Sequence, residues 1–227
     1  MNTNTLEIAA FNLDSVWIAQ YANIQRIELC SDYSNGGLTP DLKTITSAKE
    51  IFNGKIFVMI RCRPGNFNYS AHEQKSMLDS IKQAKSININ GFVYGALTEN
   101  LTIDEYKCKQ IIEAAFPLEV TFHRAFDSIP EKEKQIEKII ELNFKRILTS
   151  GRPGSASENI NTLKNLNLSF GDKITLIAGG SIRSSNIKSI ADSTKIHEFH
   201  SAAITDISNP VPNLNEITNM QSIISNL

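Results

Sequence analysis

The chain reads as an α/β protein of the (β/α)8, or TIM-barrel, class, and three observations carry that reading. Short apolar runs rich in Ile, Val and Phe alternate with segments of helical period from one end of the chain to the other. Eight such units fill 227 residues, near the lower size of a barrel whose βαβ unit takes about 30 residues. Directly after the first strand, where a doubly wound open sheet would place a Gly-rich turn, the chain has Phe11-Asn12-Leu13-Asp14. The open sheet is therefore the runner-up.

The candidate strands, in order, are Leu6 to Ala10, Arg26 to Cys30, Ile56 to Ile60, Gly91 to Tyr94, Glu119 to His123, Arg146 to Thr149, Ile174 to Ala178 and His197 to His200. Each is a short apolar or alternating run bounded by polar or turn-forming residues. Helical spacing marks Asp14 to Tyr21, Ala71 to Lys85, Ile103 to Ala115 and Pro130 to Glu141, then Ala156 to Leu166, Asn186 to Ala191 and Asn213 to Ser225. Asn209-Pro210-Val211-Pro212 reads as a turn into the last helix. With no Pro/Ser linker, charge block or low-complexity tract, residues 1–227 read as a single domain.

Charge and composition narrow the function classes. Lys and Arg number 23 against 24 Asp and Glu, interspersed to a net charge of -1. That balance offers no basic field for nucleic acid and no polybasic patch for a membrane. Three scattered cysteines, Cys30, Cys62 and Cys108, make no disulfide framework. The first residues lack a basic and apolar leader, and the expected location is cytoplasmic.

In a barrel, inward and outward side chains alternate along each strand, and chemistry sits at the C-terminal rim. In the first strand Leu6, Ile8 and Ala10 share the helix-facing side, leaving Glu7 inward. In the second, Arg26, Glu28 and Cys30 face inward. The third delivers Arg61 to the rim, the fifth His123, and the eighth Glu198 and His200. A buried charge must be paired, hydrated or matched by a ligand. Two readings stand: Glu7 and Glu28 neutralise Arg61 and hold the barrel in register, or Glu7, Glu28, Arg61, His123 and His200 form an acid/base and anion-binding site.

In the second reading Arg61 clamps an anion in the bidentate manner of a guanidinium. Glu7 or Glu28 is the general base and His123 or His200 the general acid, with Asp127 orienting an imidazole or Arg124. After the seventh strand, Gly179-Gly180-Ser181 precedes a helix start, where this fold often holds phosphate; a tight βα turn demands glycine as well. Ser150, in the turn after the sixth strand, could add a donor. Cys30 has inward parity and reads either as a small buried thiol or as a metal ligand. No organic cofactor is expected.

Taken together, Arg26-Ile27-Glu28-Leu29-Cys30, Gly36-Gly37-Leu38-Thr39-Pro40, Val58-Met59-Ile60-Arg61 and Tyr69-Ser70 with Glu73 and Met77 form an ordered set. It continues with Val120-Thr121-Phe122-His123-Arg124-Ala125-Phe126-Asp127, Arg146-Ile147-Leu148-Thr149-Ser150-Gly151 and Glu198-Phe199-His200-Ser201-Ala202. The set resembles the CutC family from about Leu6 to Ala203. That resemblance implies a TIM barrel, a cytoplasmic location, a homodimer, and copper homeostasis with Cu(I) as the bound ion. Carried over by motif, Glu7, Glu28, Cys30, Arg61, His123, Arg124, Asp127, Ser150 and His200 would form the pocket.

The chain departs from the family pattern at the end of the first strand, where many members carry a cysteine and this one has Ala9-Ala10. A cuprous site pairing that thiol with Cys30 would lack a ligand. Residue chemistry alone supports the alternative, a TIM-barrel enzyme doing isomerase- or lyase-type acid/base chemistry on a small anionic, phosphorylated or carboxylated, metabolite.

Overall fold

A computed structural model describes residues 4–227. Its strands are β1 (Thr5–Ala10), β2 (Arg26–Leu29), β3 (Lys55–Met59), β4 (Gly91–Tyr94), β5 (Glu119–Phe122), β6 (Arg146–Thr149), β7 (Thr175–Ala178) and β8 (Glu198–Ser201). They form a closed parallel barrel in sequence order, β8 pairing back onto β1. Each expected strand is found with its ends displaced by no more than one residue. The helices are α1 (Leu13–Tyr21), α2 (Leu42–Ile51), α3 (Ala71–Lys85), α4 (Glu105–Ala115), α5 (Lys132–Glu141), α6 (Ile160–Phe170), α7 (Ile187–Thr194) and α8 (Leu214–Ile224).

Helix α2 carries no sequence expectation, although Leu42, Ile45, Ala48 and Ile51 recur at helical spacing. Thr44-Ile45-Thr46 is a β-branched run of low helix propensity. Tertiary burial of Ile45 and Ala48 and the Asp41 cap on the Thr44 N–H hold it helical. The helix expected from Ala156 begins at Ile160, because Ala156–Asn159 forms a turn first, and it extends to Phe170. Helix α3 begins at a capping box in which Ser70 and Glu73 satisfy each other's backbone N–H groups. The Tyr69-Ser70…Glu73…Met77 motif is thus a helix start, with Met77 buried in the core.

Most of the hydrophobic core lies between barrel and helices, where Ile8, Ile27, Val58, Phe92, Phe122 and Phe199 face outward from their strands. The barrel interior holds a small apolar cluster of Cys30, Phe57, Met59 and Val93. Below it, toward the N-terminal ends of the strands, charge fills the space. Glu7 pairs in register with Arg26 on one side and His200 on the other. Arg26 donates to Glu7 and to Glu198, each at 2.5 Å. Arg146 lies 3.6 Å from Glu198 and bonds Glu119 at 2.5 Å. Both guanidiniums lie over the Phe57 ring, at 5.8 and 4.9 Å from its centroid.

Candidate active site

The C-terminal rim opens into a cavity of about 290 Å³, at the small end of ligand sites, which run roughly 300–1,000 Å³. Six of the expected residues, Glu28, Arg61, His123, Arg124, Gly180 and His200, line it. Glu7, Asp127, Ser150, Gly179 and Cys30 stand behind that wall.

Glu7 is fully engaged. Its Oε2 accepts from Arg26, and its Oε1 meets His200 Nδ1 at 2.8 Å. Burial opposes its ionisation, but Arg26 and His200 outweigh it and hold the carboxyl at about 2. A carboxylate so stabilised is a poor proton acceptor; Glu7 fixes the imidazole of His200. The other ring nitrogen, Nε2, lies 3.6 Å from Glu28 Oε2. Burial opposes protonation of His200, but the flanking carboxylates of Glu28 and Glu7 raise its pKa above the ordinary value.

Glu28 differs in kind from Glu7. It is 3% exposed, and its Oε1 has no hydrogen-bond partner. Burial, reinforced by the neighbouring charge of Glu7, raises its pKa against the pull of His200. A raised carboxyl in such surroundings is suited to accept a proton. Cys30 Sγ donates to Glu28 Oε2 at 3.4 Å. Burial and the charge of Glu28 push that thiol well above its ordinary pKa.

Across the barrel, His123 is also 3% exposed. Its Nδ1 accepts the Ala125 N–H at 3.3 Å, which leaves the proton on Nε2. That Nε2 has no partner. Burial and the charge of Arg61 press the imidazole down to about 3, so it is neutral at physiological pH. A neutral imidazole with a free N–H can donate to an oxygen on which negative charge develops.

Arg61 explains the Gly-Gly-Leu-Thr-Pro motif. Its Nη1 donates to the carbonyls of Asn35 and Gly37 and its Nη2 to that of Gly65. Thr39 Oγ1 accepts the Arg61 amide at 2.7 Å. The β2–α2 loop thus wraps the guanidinium, which is 5.1 Å from the Phe67 ring centroid. Among the described residues no carboxylate pairs with it. Arg124, by contrast, is compensated by Asp127 at 2.8 Å. Asp127 also accepts from Thr149 Oγ1, Ser150 N and Ser150 Oγ, and it orients Arg124 rather than an imidazole. Ser150 Oγ in turn accepts from Arg124 Nη2 at 2.9 Å.

Of the two glycines, Gly179 serves packing: a Cβ there would stand 2.5 Å from Leu148 Cδ1. Gly180 lines the cavity with φ +91°, a conformation side chains rarely adopt. Ser181 of the expected Gly-rich turn lines the cavity, as do residues outside the expected set: Arg183, further along the same loop, and the apolar wall of Phe11, Tyr33, Phe67 and Leu148. Arg183 bonds the carbonyls of Ile182 and Ile204 and Ser201 Oγ. Its position after the glycines was the available signal, since loops following the strands form the mouth of this fold.

Among the described residues no group of three or more His, Cys, Asp or Glu side chains could hold an ion. Cys30 is 1% exposed, and Met59 is the soft residue in its apolar cluster. Cys62 packs against the main core and Cys108 is buried in α4.

Fold and cavity together define a (β/α)8-barrel protein with a cavity of mixed polar and apolar lining at the C-terminal rim. Comparison with known proteins places the chain more narrowly: it belongs to the CutC family, whose model matches residues 4–205. A Pasteurella multocida family protein CutC is 40% identical over 195 residues, 86% of this chain and 80% of that one. The human copper homeostasis protein cutC homolog is 37% identical, over 87% of this chain and 72% of its own length. A crystal structure of the Streptococcus agalactiae copper homeostasis protein CutC superposes with a TM-score of 0.84 at 32% identity, covering 88% of this chain and 99% of that one. Phosphoribosylanthranilate isomerase from Thermotoga maritima, at 11% identity and a TM-score of 0.66 over 99% of this chain, shares the fold. No helix among the described residues is long and apolar enough to cross a membrane.

Proposed function

We propose that the chain is a proton-transfer enzyme, of isomerase or lyase type, acting on a small anionic metabolite held in the barrel mouth. One observation carries this: two buried groups on the wall of a single cavity, Glu28 and His123, each keep a polar atom without a protein partner. Glu28 takes a proton from a carbon beside the ligand's carbonyl and returns it to the product. His123 Nε2–H donates to the oxygen that gains charge as the proton leaves, and His200, held by Glu7, sets the charge around Glu28. Arg61 binds the anion or the carbonyl oxygen. The test is deuterium exchange, followed by NMR, into a panel of small phosphorylated and carboxylated hydroxy-carbonyl compounds in D2O. Exchange into one of them should fall at least about 100-fold in Glu28→Gln, within the usual span of general-base losses, with the melting temperature retained. Undiminished exchange in that variant would overturn the reading.

A second reading, handling of Cu(I), rests on the name of the human and streptococcal relatives and on the shared cluster of Cys30 and Met59. A tight cuprous site needs at least two soft ligands. An anaerobic Cu(I) competition titration on wild type and Cys30→Ser decides it. The first reading expects weak binding indifferent to Cys30; stoichiometric binding lost in the variant would establish the second.

A further inference from the structure

The cavity wall at β7 and β8 has donors that nothing in the protein uses. Gly180, Ser181 and Ala202 all line the cavity. Among the described residues, none of their backbone N–H groups has an acceptor. Arg183 lines the same wall, bonded only to two carbonyls and a hydroxyl, and no carboxylate pairs with it among the described residues. Arg124 adjoins Gly180: its Nη2 would be 3.3 Å from a Cβ placed there. The buried, unpartnered His123 Nε2 belongs to the same cavity.

We propose that this wall seats the phosphate of a phosphomonoester, whose other end carries a carbonyl or carboxyl oxygen directed at Arg61. The inference rests on the reading of the cavity as a small-anion site and specifies its substrate class. Three amides, together with Arg124 Nη1 and the Arg183 N–H groups that their protein bonds leave over, exceed what the two oxygens of a carboxylate can accept, whereas a phosphomonoester presents three terminal oxygens and a charge of about -1.5 to -2 at neutral pH. Arg61 lies at the end of β3, opposite β7 in a ring of eight strands in sequence order. A ligand spanning those two points passes between Glu28 on β2 and His123 beyond β5, so its reacting carbon falls between base and hydrogen-bond donor. Glu216 does not compete for this seat, because its carboxylate accepts from Ser184 N and Oγ further along the loop.

Ser181 supplies a test that spares the fold. It is exposed, with φ +59°, a conformation that Asp and Asn tolerate well. Titration calorimetry with inorganic phosphate, glycerol 3-phosphate and glycerol should show both phosphates binding the wild type and glycerol not binding. Ser181→Asp, which sets a negative charge beside the seat, should weaken phosphate binding at least tenfold, while Ser181→Asn stays within twofold. Glycerol 3-phosphate binding tighter than inorganic phosphate identifies an esterified ligand. Phosphate that does not bind the wild type, or that binds wild type and Ser181→Asp equally, overturns the proposal. Deuterium exchange into a carboxylated compound alone, lost in Glu28→Gln, would leave the enzymatic reading standing while this one fails.

Discussion

The two interior glutamates show how neighbours, not residue type, set a carboxyl's task. Glu7 spends both oxygens on Arg26 and His200 and is held at about 2. Glu28 keeps one oxygen unpartnered and its pKa is raised. A depressed carboxyl contributes stability that is complete above its unfolded value and is lost as pH falls through its folded value. For Glu7 the window runs from the ordinary 4.5 down to about 2, and the contribution is on the order of 3 kcal/mol. His200 works in the opposite direction: raised above 6.5, it stabilises fully below that value and less as pH climbs through its folded pKa. Urea midpoints measured from pH 2 to pH 9 should therefore fall at both ends. A Glu7→Gln variant should be less stable at neutral pH and lose part of the acid-side slope, the rest coming from other lowered carboxylates such as Glu73; an unchanged slope would show that Glu7 contributes none of it.

Strand β4 and the residues that follow it position His123 by leaving space. Gly95, one residue past β4, is buried against the imidazole; a Cβ there would stand 2.6 Å from Nδ1 and 2.7 Å from Cε1. Phe67 also meets the ring, at 4.8 Å between centroids. The imidazole is thus held by a loop backbone and an aromatic ring, and the Ala125 N–H fixes its tautomer. In Gly95→Ala the ring must move or the loop must shift, at a cost of about 1–3 kcal/mol for overpacking. The measurement is a histidine NMR titration. In the wild type His123 should remain neutral down to about 3; in Gly95→Ala its titration should move up toward the ordinary range as burial is relieved. A titration that stays in place would mean that Phe67 alone positions the ring.

Across the whole molecule, a column of charge runs along the barrel axis where other barrels stack aliphatic layers. Glu119, Arg146, Glu198 and Arg26 join end to end below the cavity, and Glu7 links that chain to His200 at the rim. The phenyl ring of Phe57, a member of the apolar cluster with Cys30, faces the two guanidiniums. Removing one member leaves buried charges without partners, so Arg26→Met should cost about 3–5 kcal/mol in urea denaturation. The same variant should let the Glu7 carboxyl rise above about 2, read by carbon NMR of its side chain. Loss of stability without that rise would limit Arg26 to packing.

Period and parity made the barrel legible. Apolar alternation located all eight strands, and a side-chain repeat of two put Glu7, Glu28, His123 and His200 on the inner face without any knowledge of contacts. Family motifs added the CutC assignment and marked Asp127 and Ser150, neither of which parity alone explains. What sequence could not divide was the work among these residues. Whether Glu7 or Glu28 holds the movable proton depends on Arg26, two strands' side chains meeting at 2.5 Å. Whether Asp127 serves an imidazole or Arg124 depends on a 2.8 Å contact across a short turn. The donors of Ser181 and Arg183 carry no periodic signal at all, and in helix α2 the helical spacing of Leu42, Ile45, Ala48 and Ile51 is masked by β-branched neighbours. Period records which way a side chain faces; only the closed barrel decides what it meets there, because partners far apart in the chain set its charge.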